Sequence, residues 1–93
     1  VYVAKGINYY GGIGVAEFIM ETGRLHEGDE VLITGPTTGT LFATVGELRV
    51  NLETVPVAKK GERFSFPLAD RIRPSDKLYK LVADEDKTGL PVE

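Results

Sequence analysis

The chain has 93 residues, a net charge of −3, no Cys and a single His. That length suits one domain, since domains run to about 100–200 residues, and 42% apolar with 27% charged residues suits a globular chain rather than a disordered one. Disulfides, thiolate catalysis and zinc–thiolate sites are excluded, and any Ser-His-Asp triad would have to use His26. No apolar run nears the roughly 18 residues that span a bilayer, and no basic leader precedes an apolar stretch. The first residue is Val1 rather than Met, which points to a fragment or a processed product.

The pattern is β throughout. Short runs rich in Val, Ile, Phe, Tyr and Thr alternate with turn residues, which predicts strands at 1–10, 13–20, 30–34, 41–50, 54–57, 62–67 and 77–83. No window keeps an apolar i, i+3, i+4, i+7 pattern, so no helix of useful length is expected. The first two strands meet at Gly11, Gly12 and Gly14. That glycine group lacks the following helix a phosphate loop needs, so it reads as a hairpin turn.

Next comes His26, between Leu25 and Glu27, in an expected exposed turn. Glu27, Asp29 and Glu30 are close in sequence, but Asp29 and Glu30 would point to opposite faces of a strand. Gly28 and Asp29 therefore read as turn chemistry and not as a paired-acid site. The loop with Thr37, Thr38 and Thr40 carries hydroxyls that could contact a phosphate or a peptide, or bond to their own backbone. Between 41 and 50 the apolar phase shifts from odd to even positions at Gly46, a signature of a bulge or barrel corner. In 62–67, Phe64 and Phe66 share one face.

The charge is unevenly spread. Residues 1–58 have three cations against seven acids, residues 59–80 seven against three, and residues 81–93 one against four. The basic segment supplies Lys59, Lys60, Arg63, Arg71, Arg73 and Lys77 as candidate contacts for RNA or another partner, with Tyr79, Tyr9 and Tyr10 for stacking. A solvated face, its cations paired with Glu62, Asp70 and Asp76, is the other reading. Residues 1–83 form one expected domain, either a closed or nearly closed barrel or a sandwich. Ile13, Val15, Val31, Ile33, Val45, Phe64, Phe66 and Leu78 are expected inward. Residues 84–93 are an acidic tail expected to fray.

Several motifs resemble a known family. The stretch Leu25-His26-Glu27-Gly28-Asp29-Glu30-Val31-Leu32-Ile33-Thr34-Gly35 resembles the L-x-x-G-D-x-V-x-I-x-G strand in the second-domain β-barrel of translation elongation factor Tu. Gly12 to Ala16 resembles the strand opening that barrel, and Val57 to Glu62 its V-x-x-A-x-x-G-[DE] turn. Ile72 to Lys80 resembles its closing stretch, with Ser75 where Gly is usual. A closer resemblance is to the C-terminal barrel of the collagenase-like peptidases, family U-thirty-two, which include proteins for hydroxylation of transfer RNA and ribosomal RNA. It rests on Gly6-Ile7-Asn8-Tyr9-Tyr10, on Gly35-Pro36-Thr37-Thr38 and on Asp70-Arg71-Ile72-Arg73 before Asp76; Asn8 stands where His is common.

The resemblance implies an all-β, translation-factor-like barrel that serves as a non-catalytic accessory domain. It would present RNA or protein substrate to an N-terminal catalytic domain of its parent, with weak contact to transfer RNA or ribosomal RNA. The alternative it leaves is a purely structural barrel for packing or oligomerisation. No cofactor, metal or membrane partner, no catalytic residue in the chain and a cytoplasmic location are expected.

Overall fold

The computed structural model describes residues 1–81; the expected tail at 84–93 and the last residues of the final predicted strand lie outside the described residues. Ten strands follow in order: β1 (Tyr2–Tyr10), β2 (Val15–Met20), β3 (Arg24–His26), β4 (Glu30–Gly35), β5 (Gly39–Thr44), β6 (Arg49–Val50), β7 (Glu53–Thr54), β8 (Val57–Lys59), β9 (Arg63–Pro67) and β10 (Lys77–Lys80). Eight form one antiparallel sheet in the order β5-β4-β10-β1-β2-β9-β6-β7, and β3 pairs with β8. The sheet curls around one core, so the all-β, barrel-like expectation holds. Hydrogen bonding does not close it, and β5 and β7 remain its edges among the described residues.

Alternation builds the core. Ala16, Phe18 and Met20 of β2 point inward and meet Phe64 and Phe66 of β9. The Phe18 ring stacks on both, with centroids 5.5 Å apart in each case. Full burial of each such side chain stabilises the fold by about 1.5–3 kcal/mol. Val31, Ile33 and Leu78 extend the core beneath β4 and β10.

Ile13 corrects the expected core. It is 74% exposed, and Val15 is only half-buried, on the outer face. Both phases of 13–20 are apolar, so period two could not choose between them, and the turn did. Residues 11–14 fold back with the Ile13 and Gly14 N–H groups donating to Tyr10 O, and Gly14 takes a φ of 66°. The even positions are thereby turned inward. The predicted strand at 41–50 also divides. Val45 leaves the ladder, donates to Asp29 O and accepts from Gly28 N–H, while Val45 and Leu48 stay buried. Pro56 likewise separates β7 from β8, because proline has no N–H to give to a ladder. β3 carries one buried apolar residue, Leu25, too few for a period. His26 ends that strand instead of lying in a turn, and it is exposed as expected.

One residue, Asp76, joins three segments. Asp76 is 2% exposed; its carboxylate accepts the Thr38 hydroxyl from the β4–β5 loop and the Arg73 N–H at 2.9 Å. Its own carbonyl accepts the Gly6 N–H of β1 at 2.6 Å, and Ser75 N–H donates to Gly6 O at 2.9 Å. Ser75 holds φ at 74°, a left-handed conformation that favours Gly. A Cβ on Gly35 would lie 2.6 Å from Asp76 Cγ, so only glycine admits the carboxylate there.

Gly35→Ala is therefore expected to cost about 1–3 kcal/mol, as overpacking does. The same change in an Asp76→Ala background should cost much less, because the obstacle is gone. Urea unfolding of both single variants and the double variant checks this; additive costs would contradict it.

Candidate functional site

Register sorts the outer face into rows. Lys77 of β10 is opposite Lys5 of β1, Lys5 is opposite Ile19 of β2, and Ile19 is opposite Arg63 of β9. On the other side of Lys77 come Thr34 of β4 and Thr40 of β5. The next row runs Tyr2, Tyr79, Leu32 and Phe42 across β1, β10, β4 and β5. A β-bulge between Tyr2 and Ala4 makes this possible. It buries both Val3 and Ala4, so that Tyr2 and Lys5, three residues apart, share the outer face. The two rows lie about 7 Å apart, two residues along a strand.

The six candidate cations are exposed and make no ion pair among the described residues. Arg63 and Lys77 fall in the first row, Lys59 at the end of β8, Lys60 in the turn leading into β9, and Arg73 in the turn before Lys77. Arg71 stands apart. Its guanidinium covers the Tyr9 ring at 5.3 Å, about 13 Å from Lys5 along β1. The Tyr9 hydroxyl donates to Leu68 O at 2.8 Å, which fixes the ring beneath Arg71. Two of the segment's three acids serve the backbone. Glu62 accepts the Lys59 N–H at 2.8 Å, and Asp76 is the buried junction. Lys5, Tyr2, Leu32 and Phe42 were missed in the sequence because their neighbours come from four different strands.

Beside Lys77 lies an open pocket of about 450 Å³ lined by the hydroxyl-bearing Thr34, Thr40, Ser75 and Tyr79. Of the loop threonines, Thr40 reaches this pocket and Thr38 is bound to Asp76. A second groove of about 520 Å³ lies between the β1–β2 and β6–β7 turns, with Ile13 and Leu52 among its lining residues. Tyr10, Glu17 and Arg63 also line it, and the Tyr10 hydroxyl donates to Glu17 at 2.8 Å. That bond, with the adjacent carboxylate charge, raises the Tyr10 pKa.

His26 does not form part of a triad. Its ring nitrogen Nδ1 is 3.7 Å from Asp29 Oδ2, and no hydroxyl bonds to the imidazole among the described residues. Asp29 also accepts the His26 N–H at 2.8 Å, as turn chemistry requires, and lies 3.4 Å from Lys80 Nζ.

Tyr2 closes the aromatic row. Its ring meets Tyr79 edge-on at 5.8 Å and its hydroxyl donates to Glu21 at 2.5 Å. Burial first, and Glu21 second, push its pKa up to about 12. The raised value favours the neutral phenol of the folded chain. The resulting stability is present below pH 10 and is lost as pH rises from 10 towards 12. A spectrophotometric titration of the four tyrosines should show one ionising near 12 that moves down in Glu21→Gln; an unchanged curve would contradict this.

No family model matches the chain. A protein named collagenase from Porphyromonas gingivalis strain W83 is 52% identical over 86 residues, which cover 92% of this chain and 21% of that protein. An uncharacterized protease of Methanocaldococcus jannaschii is 35% identical over 81 residues, covering 87% of this chain and 20% of its own length. The chain thus spans about a fifth of the length of the curated relatives it matches. The crystal structure of the C-terminal domain of a Geobacillus thermoleovorans protein assigned to the U32 peptidases superposes with a TM-score of 0.81 at 16% identity, covering 87% of this chain and 92% of that one. In sequence the chain is similar to about a fifth of the length of proteins named collagenase and uncharacterized protease, and its fold is that of the C-terminal domain of a U32 peptidase.

Proposed function

We propose that the chain is a non-catalytic accessory module that holds an extended substrate for a catalytic part located elsewhere in a longer, peptidase-like protein of the cytoplasm. The observation that carries this reading is the pair of rows on the outer face: Lys77, Lys5 and Arg63 beside Tyr79, Tyr2 and Phe42. Cations take phosphates and aromatic faces take bases, so the chemistry favours single-stranded RNA. The names of the relatives point instead to protein, and a collagen peptide is the competing ligand in the test. The chain's own inventory supports the non-catalytic part, with no Cys and a lone His26 bound to a turn acid.

Transfer RNA should bind weakly, at roughly 10⁻⁴ to 10⁻⁶ M, with each phosphate contact adding about −0.7 to −0.9 to the salt slope. Arg63→Glu with Lys77→Glu should abolish binding, whereas Arg71→Glu, on the Tyr9 ring, should leave most of it. A salt-titrated assay with transfer RNA and a collagen peptide measures this. Equal binding by all variants, or none by the wild type at low salt, would reject the RNA face, and saturable binding of the collagen peptide alone would make the substrate protein.

A second reading, packing against the rest of a longer chain, is favoured by the β6–β7 turn. Asn51 and Leu52 hold φ at 54° and 69°, and Leu52 is 92% exposed. A left-handed residue with a Cβ costs about 1–2 kcal/mol, and an exposed leucine gains nothing in return. Leu52→Gly would create the Asn-Gly pair that such a two-residue hairpin prefers. It should stabilise the isolated chain by about 1 kcal/mol in thermal unfolding; destabilisation would show that Leu52 already packs within this domain.

A further inference from the structure

The edge strand β5 has one hydrogen-bonded neighbour, β4, among the described residues. Its six residues pair with β4 without a bulge, and among the described residues no loop donates to or accepts from the backbone of Gly39–Thr44. Exposed edges are usually blunted by charge, proline or a bulge. β5 has none of these, and it presents Phe42, 72% exposed, on its outer face. The strand also reads nearly alike in both directions about Phe42: Thr40 mirrors Thr44, and Leu41 mirrors Ala43. Thr40 and Thr44 are exposed with Phe42, while Leu41 and Ala43 pack against the core.

We propose that β5 is a homodimer edge: a second copy of this chain pairs antiparallel along it, with the two-fold axis at Phe42. In that register Phe42 faces Phe42, each Thr40 faces a Thr44, and each Leu41 faces an Ala43. Like chemistry meets like on both faces, and no charge on the strand opposes its mate. The row of Lys5, Lys77, Thr34 and Thr40 continues into Thr44 and Glu30 of the second copy, which sets a carboxylate in line with two lysines. The surface does not depend on the RNA reading, because the pairing uses the edge of the sheet and not its face.

The absence of Cys allows a direct test. Residues opposite one another in an antiparallel pair have Cα atoms about 4.5–5.5 Å apart, within the roughly 4.4–6.8 Å that a disulfide spans. Phe42→Cys should therefore cross-link to a covalent dimer under mild oxidation, far faster than Leu52→Cys, whose site is more exposed. Sedimentation of the wild-type chain should show a monomer–dimer equilibrium, abolished by Thr40→Lys with Thr44→Lys. A wild-type chain that stays monomeric at every concentration, or equal cross-linking at positions 42 and 52, would overturn the proposal. Dimers that survive the lysine pair would overturn it as well.

Discussion

A carboxylate buried without partners would cost several kcal/mol even after relaxation, and the Asp76 carboxylate is buried where the β4–β5 hairpin meets the turn before β10. Its burial is made tolerable by the Thr38 hydroxyl, by the Arg73 N–H and by the absence of a side chain at Gly35. The carboxylate ties the β4–β5 hairpin to the turn before β10, and the Asp76 main-chain carbonyl ties that turn to Gly6 of β1, so the three segments meet at one residue. β10 is only four residues long, yet it sits between β4 and β1 and completes the sheet. Its register is set where Asp76 hands the chain to Lys77.

That register makes the outer face. Lys77 and Tyr79 are the middle members of two rows that extend across β5, β4, β10 and β1. The β1 bulge supplies the other half of the arrangement by turning both Tyr2 and Lys5 outward. A cross-strand pair of lysines is mildly unfavourable by itself. Glu21, 3.9 Å from Lys5 and bonded to Tyr2, offsets part of it. The strained, exposed Leu52, at the turn between β6 and β7, shares its groove with Arg63, the last cation of the row, so the binding and packing surfaces meet at that residue.

Much of the fold was legible in the sequence because alternation is a local signal. Phe64 and Phe66 share a face in any register, and Gly28-Asp29 reads as a turn wherever it occurs. Ile13 misled because both phases of its run are apolar, and only the length of the turn before it decides which faces inward. The long run at 41–50 misled because buried residues continue after the ladder has ended, at Val45 and Leu48. The candidate site was half legible. A linear block of cations drew attention to Arg63 and Lys77, but Lys5 lies in an acidic half of the chain and joins them only through pairing. Asp76 read as one more acid pairing cations on a solvated face, since acids beside a basic run ordinarily face water. Nothing local distinguishes a turn acid in water from one sealed beneath a glycine.

The central claim is that the Asp76 junction fixes β10 between its neighbours, and native-state amide hydrogen exchange of an Asp76→Ala variant tests it most directly. The account predicts that protection falls selectively at Gly6, Arg73, the β4–β5 hairpin and β10, while amides in the β2–β9 ladder around Phe18 and Phe64 keep theirs. Uniform loss across the sheet, or unchanged protection at Gly6 and Arg73, would contradict it.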